Sequence, residues 1–317
     1  MIVDLPDTTT SAVSKALISI REEGGAVALG RVLTLVIATP LGEEEEAIEA
    51  ANDASREHPM RVIVLSRRED RSEPDRLDAQ IRVGGDAGAS EVVMLRAHGE
   101  VAAEEEGLVT GLLLPDAPVV AWWPIEPPEH PGESPLGRIA QRRITDAAAS
   151  SSPVEALEAL GRNYRPGDTD FAWTRVTLWR AQLAAVLDQP PYEPVTSVTV
   201  AGASDSPSTE LLAAWLQLEL DVDARLEISN AATHGSHGIH GVRFERASGT
   251  VSLERLVPGI ATLVQPGQPD HDIALPRRSL RDCLAEELRR LDPDDLFGEV
   301  VQRSVPRLLA SAREDRG

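Results

Sequence analysis

Several short stretches of this chain hold residue types that could do chemistry. Gly202, Ser204, Ser206, Ser208 and Thr209 fall within nine residues that leave an expected strand and enter an expected helix. Free N–H groups and the positive end of a helix dipole suit an anion, and the hydroxyls would hold a sugar phosphate. Ser206 as N-cap and Pro207 as first helical residue explain the same pattern without a ligand. His234-Gly235, His237-Gly238 and His240-Gly241 set three imidazoles three residues apart, enough in number for a metal. Three glycines oppose a helix that could align them, and no Asp, Glu or Cys lies in the tract. We therefore read a glycine-rich loop and expect no metal site. Gly84-Gly85-Asp86-Ala87-Gly88 has the look of a phosphate cradle, but Glu91–Leu95 after it reads as a strand, so a strand-to-strand turn is expected. Cys283 shares an apolar helical stripe with Leu280, Leu284 and Leu288 and reads as core. No catalytic grouping with the right local context emerges, and neither catalytic residues nor a cofactor are expected.

Recognition chemistry is more prominent. Trp122 and Trp123 are neighbours on an expected strand, so their side chains point to opposite faces. One can fill the core while the other faces out beside the proline-rich loop Pro124–Pro135 as an interface anchor; burial of both between layers is the alternative. Arg138 and Arg142 follow at i, i+4, with Arg143 adjacent, as a basic spot suited to a carboxylate or phosphate or as a solvated helix face.

Strands and helices alternate through the first half. A helix at Ser11–Arg21 precedes a strand at Arg31–Ala38, a helix at Glu43–Glu57 and a strand at Arg61–Ser66. That order makes a βαβ unit and hence a partly parallel sheet. Further strands are expected at Ala79–Val83, Glu91–Arg96 and Val119–Trp123. Phe171–Leu187 carries one apolar face and reads as a single helix. A strand at Ser197–Ala201, a helix at Pro207–Leu220, four short strands and two closing helices follow. The expected architecture is α/β: an N-terminal α/β domain (1–165) with a largely parallel sheet, then a smaller α+β domain (166–317).

Composition bounds the function. The chain has 317 residues and a formal net charge of −21, which opposes general nucleic-acid binding. Lys15 is the only lysine, so Walker A and Schiff-base chemistry are nearly excluded. One cysteine cannot form an intrachain disulfide and agrees with a reducing compartment. The best apolar stretch is too short to cross a bilayer, and the acidic start is unlike a signal peptide. A soluble, cytoplasmic protein with no membrane partner is expected.

Five ordered segments then carry a resemblance. Arg56–Leu65 (REHPMRVIVL), Asp78–Asp86 (DAQIRVGGD), Leu113–Pro124, Pro135–Asp146 and Tyr164–Arg180 (YRPGDTDFAWTRVTLWR) resemble the OpcA family, the glucose-6-phosphate dehydrogenase assembly proteins, in its actinobacterial form. The resemblance implies a non-catalytic partner of glucose-6-phosphate dehydrogenase that promotes the active oligomer or acts as a protein effector. It would thereby support the oxidative pentose phosphate pathway and NADPH supply. It carries over no catalytic residue. We place the expected docking surface at Trp122, Trp123, Arg138, Arg142 and Arg143. The alternative is a sugar-phosphate-binding protein or enzyme using the Gly202–Thr209 loop.

Overall fold

The computed structural model describes residues 1–24, 30–68, 72, 74–84, 91–228 and 238–314. Two compact units divide the chain, and they are not consecutive halves. The first takes Met1–Asp146, Gly167–Thr169 and Ser279–Pro293; the second takes Ala147–Pro166, Asp170–Arg278 and Asp294–Gly317.

The first unit is α/β. Its strands are β1 (Ile2–Leu5), β2 (Leu33–Pro40), β3 (Met60–Arg68), β4 (Arg76–Val83), β5 (Glu91–His98), β6 (Val119–Trp122), β7 (Arg142–Thr145) and β8 (Asp168–Asp170). They lie in the order β1-β4-β5-β3-β2-β6-β7-β8. The centre is parallel, with β5, β3, β2, β6 and β7 paired in that sense, while β4 and β1 add antiparallel pairs at one side. β2 and β3 are buried along nearly their whole length, as continuous apolar runs covered on both faces must be. Helices α1 (Thr10–Gly24) and α2 (Glu45–Ala54) belong to this unit, with the short α3 (Glu105–Thr110) and α4 (Pro135–Ile139). The helix Leu280–Glu287 returns from far along the chain to pack on α2. It starts in a capping box in which Ser279 and Asp282 satisfy each other's backbone N–H groups. Cys283 and Leu284 are fully buried on it, in line with the apolar stripe.

The second unit is α+β. Its helices include α5 (Pro153–Asn163), α6 (Phe171–Arg175), α7 (Thr177–Leu187) and α8 (Pro207–Leu220). Its strands are β9 (Ser197–Gly202), β10 (Ala224–Ile228), β11 (Ile239–Arg246), β12 (Gly249–Val257), β13 (Ile260–Val264) and β14 (His271–Ala274), ordered β10-β9-β11-β12-β13-β14. Among the described residues of this sheet only the β9–β10 pair is parallel. Val198, Val200, Val242, Phe244, Val251 and Leu253 share one core with α8 and with Trp173, Trp179 and Phe297.

Two sequence expectations need correction here. Phe171–Leu187 is two helices, α6 and α7, meeting at Val176 with φ −89° and ψ 0°. Arg138 and Arg142 do not share a helix face: Ala140 is extended (φ −99°, ψ 137°), and the chain passes from α4 into β7. The Gly84–Gly88 loop joins antiparallel β4 to β5, although residues 85–90 lie outside the described residues. His234 and His237 of the His-Gly tract also lie outside them; His240 is buried on β11.

Candidate functional site

Trp122 and Trp123 are 0% and 1% exposed. The expectation of an outward-facing indole is therefore corrected. β6 is an interior strand between β2 and β7, so both faces of the sheet at this point are covered. Arg142 and Arg143 are buried too. Arg142 Nη2 lies 2.5 Å from Glu287 Oε2, and its Nη1 donates to the Asp292 carbonyl at 2.9 Å. Arg143 pairs with Asp168 and donates to the Ala140 carbonyl at 2.9 Å. These guanidiniums tie β7 to Asp168 and to the returning segment, which makes them structural. Of the five residues expected to dock, Arg138 alone is exposed, and it pairs with Glu106 at 3.2 Å.

The Gly202–Thr209 loop is built as a cap. The Ser206 hydroxyl accepts the Thr209 N–H at 3.2 Å, Pro207 opens α8, and Ser208 Oγ donates to the Ala172 carbonyl at 3.0 Å. A Cβ on Gly202 would lie 2.3 Å from Thr209 Oγ1 and 2.9 Å from the Gly238 carbonyl, so the glycine is required by packing. Ser204 alone of the loop hydroxyls is exposed. The pocket beside it is walled by Glu210 and Glu227, and its Arg313 pairs with Glu158 at 2.7 Å. Carboxylates repel a phosphate, so the electrostatics oppose the reading in which this loop holds one.

A second crevice lies where the first sheet reverses its strand order, between the C-terminal ends of β2 and β6. Open α/β sheets bind cofactors at such a switch point, with the phosphates on glycine-rich turns at a helix N-terminus. Here the turn is Thr39-Pro40-Leu41-Gly42, followed by Glu43, Glu44, Glu45 and Glu46. Glu44 Oε1 takes the Gly42 N–H at 3.1 Å, using a loop donor that a phosphate would need. Arg67 at the crevice pairs with Glu105 at 2.9 Å, and Glu126 places a carboxylate on the wall.

The cationic site in this acidic chain is in the second unit. A cleft of about 160 Å³ is lined by Arg175, Arg255, Arg277 and Arg278, with Trp179 and Ser208 beside them. Arg255 continues the inward alternation of Val251 and Leu253 along β12, and its guanidinium sits 5.0 Å from the Trp179 ring centroid. The β12–β13 register shifts between Glu254 and Val257, and the irregularity bends the strand where Arg255 leaves it. Burial, with the charge of Arg277, pushes Arg255 down to about 10; burial also lowers Arg277. Arg278 Nη1 is fixed by the Thr174 carbonyl at 3.2 Å. Sequence reading missed this cluster because its members are scattered from Arg175 on α6, through Arg255 on β12, to Arg277 and Arg278 in the segment after β14. A positively charged residue at an inward β12 position was the one available signal.

Fold and crevice together define a mixed α/β protein whose first sheet carries a switch-point crevice walled by Arg67, Trp123 and Glu126. An oxidoreductase from Sinorhizobium meliloti has a similar fold, at TM-score 0.50 and 10% identity over 90% of this chain and 99% of that one. The 3-ketoreductase KijD10 from Actinomadura kijaniata aligns over 89% of this chain and 97% of its own at TM-score 0.49 and 12% identity. Glucose-6-phosphate 1-dehydrogenase from Mycobacterium avium aligns over 89% and 92% at TM-score 0.42 and 13% identity. No curated protein matches the sequence. The chain belongs to the OpcA family: residues 51–162 match the glucose-6-phosphate dehydrogenase subunit N-terminal domain and residues 166–301 its C-terminal domain.

Proposed function

We propose that this protein is a non-catalytic partner of glucose-6-phosphate dehydrogenase, serving as an assembly factor or protein allosteric activator in the cytoplasm. In that role it supports the oxidative pentose phosphate pathway and NADPH supply. The observation that carries this reading is the ordered match of both family domains across residues 51–301. At the switch point Glu44 takes the Gly42 N–H that a pyrophosphate would need, and Glu126 lies on the crevice wall, which supports a scaffold not used for dinucleotide chemistry. No helix among the described residues is long and apolar enough to cross a membrane, which agrees with a partner in solution.

An effector must bind one state of the enzyme better than another, and it shifts the equilibrium only by that difference. The docking surface we favour is the β12–β13 end of the second sheet. Leu256 is 66%, Val257 54% and Ile260 41% exposed around its turn, three apolar side chains grouped at one tip. Arg138 stays in the proposal as a peripheral charge. The test mixes purified protein with the dehydrogenase and follows co-elution together with the rate of NADP⁺ reduction. Binding with a changed rate supports the reading; neither effect contradicts it.

A further inference from the structure

The arginine cleft has no role in the proposed docking, and its construction calls for a ligand. Four guanidiniums line one concavity in a protein of net charge −21. Two buried arginines elsewhere in this structure meet carboxylates: Arg61 lies 2.7 Å from Glu91, and Arg142 pairs with Glu287. Arg255 and Arg277 have no carboxylate within 4.0 Å among the described residues. Arg255 Nε is buried and makes no hydrogen bond among them. A buried cationic donor left unmatched is unfavourable, and an anion in the cleft would remove that penalty.

We propose that this cleft binds a small phosphate monoester, with Arg255 and Arg277 as its principal phosphate ligands and Arg175 and Arg278 at its flanks. Planar guanidiniums grip tetrahedral phosphates through paired N–H donors. Several forks converging on one site suit a dianion with three terminal oxygens better than a single carboxylate. Ser208, at the second position of α8, brings the positive end of a 14-residue helix to the same wall. Trp179, held under Arg255, orients that guanidinium so that it is in place before the ligand arrives. The site is separate from the Gly202–Thr209 pocket, whose wall is acidic.

The test is calorimetry on the full chain without any dehydrogenase, so its outcome is independent of the proposed partnership. The probes are glucose 6-phosphate, 6-phosphogluconate, inorganic phosphate and citrate. At least one ester is expected to bind more tightly than inorganic phosphate or citrate. Arg255→Gln and Arg277→Gln should each weaken that ester at least tenfold. Arg277 is exposed, so its substitution keeps the fold even if Arg255→Gln disturbs it, and circular dichroism checks both. No heat from either ester at millimolar concentration would overturn the assignment. So would citrate or inorganic phosphate binding as tightly as the better ester, or an unchanged affinity in the Arg277→Gln protein.

Discussion

The tryptophan pair and the arginines after it show how residue type and residue role separate. A Trp-Trp dipeptide beside prolines reads as a recognition element, yet both indoles are core because β6 lies between two covered faces. Truncating Trp123 to alanine should therefore lower stability by about 3–5 kcal/mol, seen as a lower urea midpoint. An unchanged midpoint would contradict its burial. Arg142→Ala strands Glu287, which is 6% exposed, beside a lost partner. We expect a loss of roughly 3–5 kcal/mol, against about 0.5 kcal/mol or less for exposed Arg138→Ala. Paired chemical denaturation curves check the contrast, and equal effects would refute it.

Elements were legible in the sequence where periodicity was unambiguous and poorly legible where a local spacing mimicked another structure. The runs RVLTLVIA and RVIVLS announced β2 and β3, and Ser206-Pro207 announced the start of α8, because buried parallel strands and capped helices leave direct marks. β7 was hidden because Arg138 and Arg142 happen to stand four apart, while Ala140 between them is extended. The break at Val176 left no mark either, since α6 and α7 continue the same apolar face. The arginine cleft was invisible for another reason: bringing Arg175 to Arg255 and Arg277 is a tertiary event. Ser206→Ala removes the cap of α8 and should destabilise the protein by about 1 kcal/mol, measurable by thermal denaturation. Leu256→Asp, at an exposed turn, should leave stability within about 0.5 kcal/mol yet weaken dehydrogenase binding at least tenfold. Undiminished co-elution of that variant would move the docking surface elsewhere.

At the scale of the whole molecule, the sequence suggested a division at residue 165, whereas the compact units interleave. Ser279–Pro293 belongs with the first unit, supplying a helix that packs on α2 and Glu287 to Arg142. Nothing local in that segment announces its destination, since an amphipathic helix fits any apolar surface. A fragment ending at residue 165 should accordingly fold less cooperatively than the full chain, because it lacks Ser279–Pro293 and with it Glu287, the partner of Arg142; a fragment with native-like stability would contradict this. The effect on another protein that we propose rests on the family match across residues 51–301. The most direct measurement is the kinetics of purified glucose-6-phosphate dehydrogenase titrated with this protein while complex formation is followed by size-exclusion chromatography. The account predicts a saturable change in KM or kcat that tracks co-elution. Separate elution with unaltered kinetics at micromolar concentrations of both would contradict it.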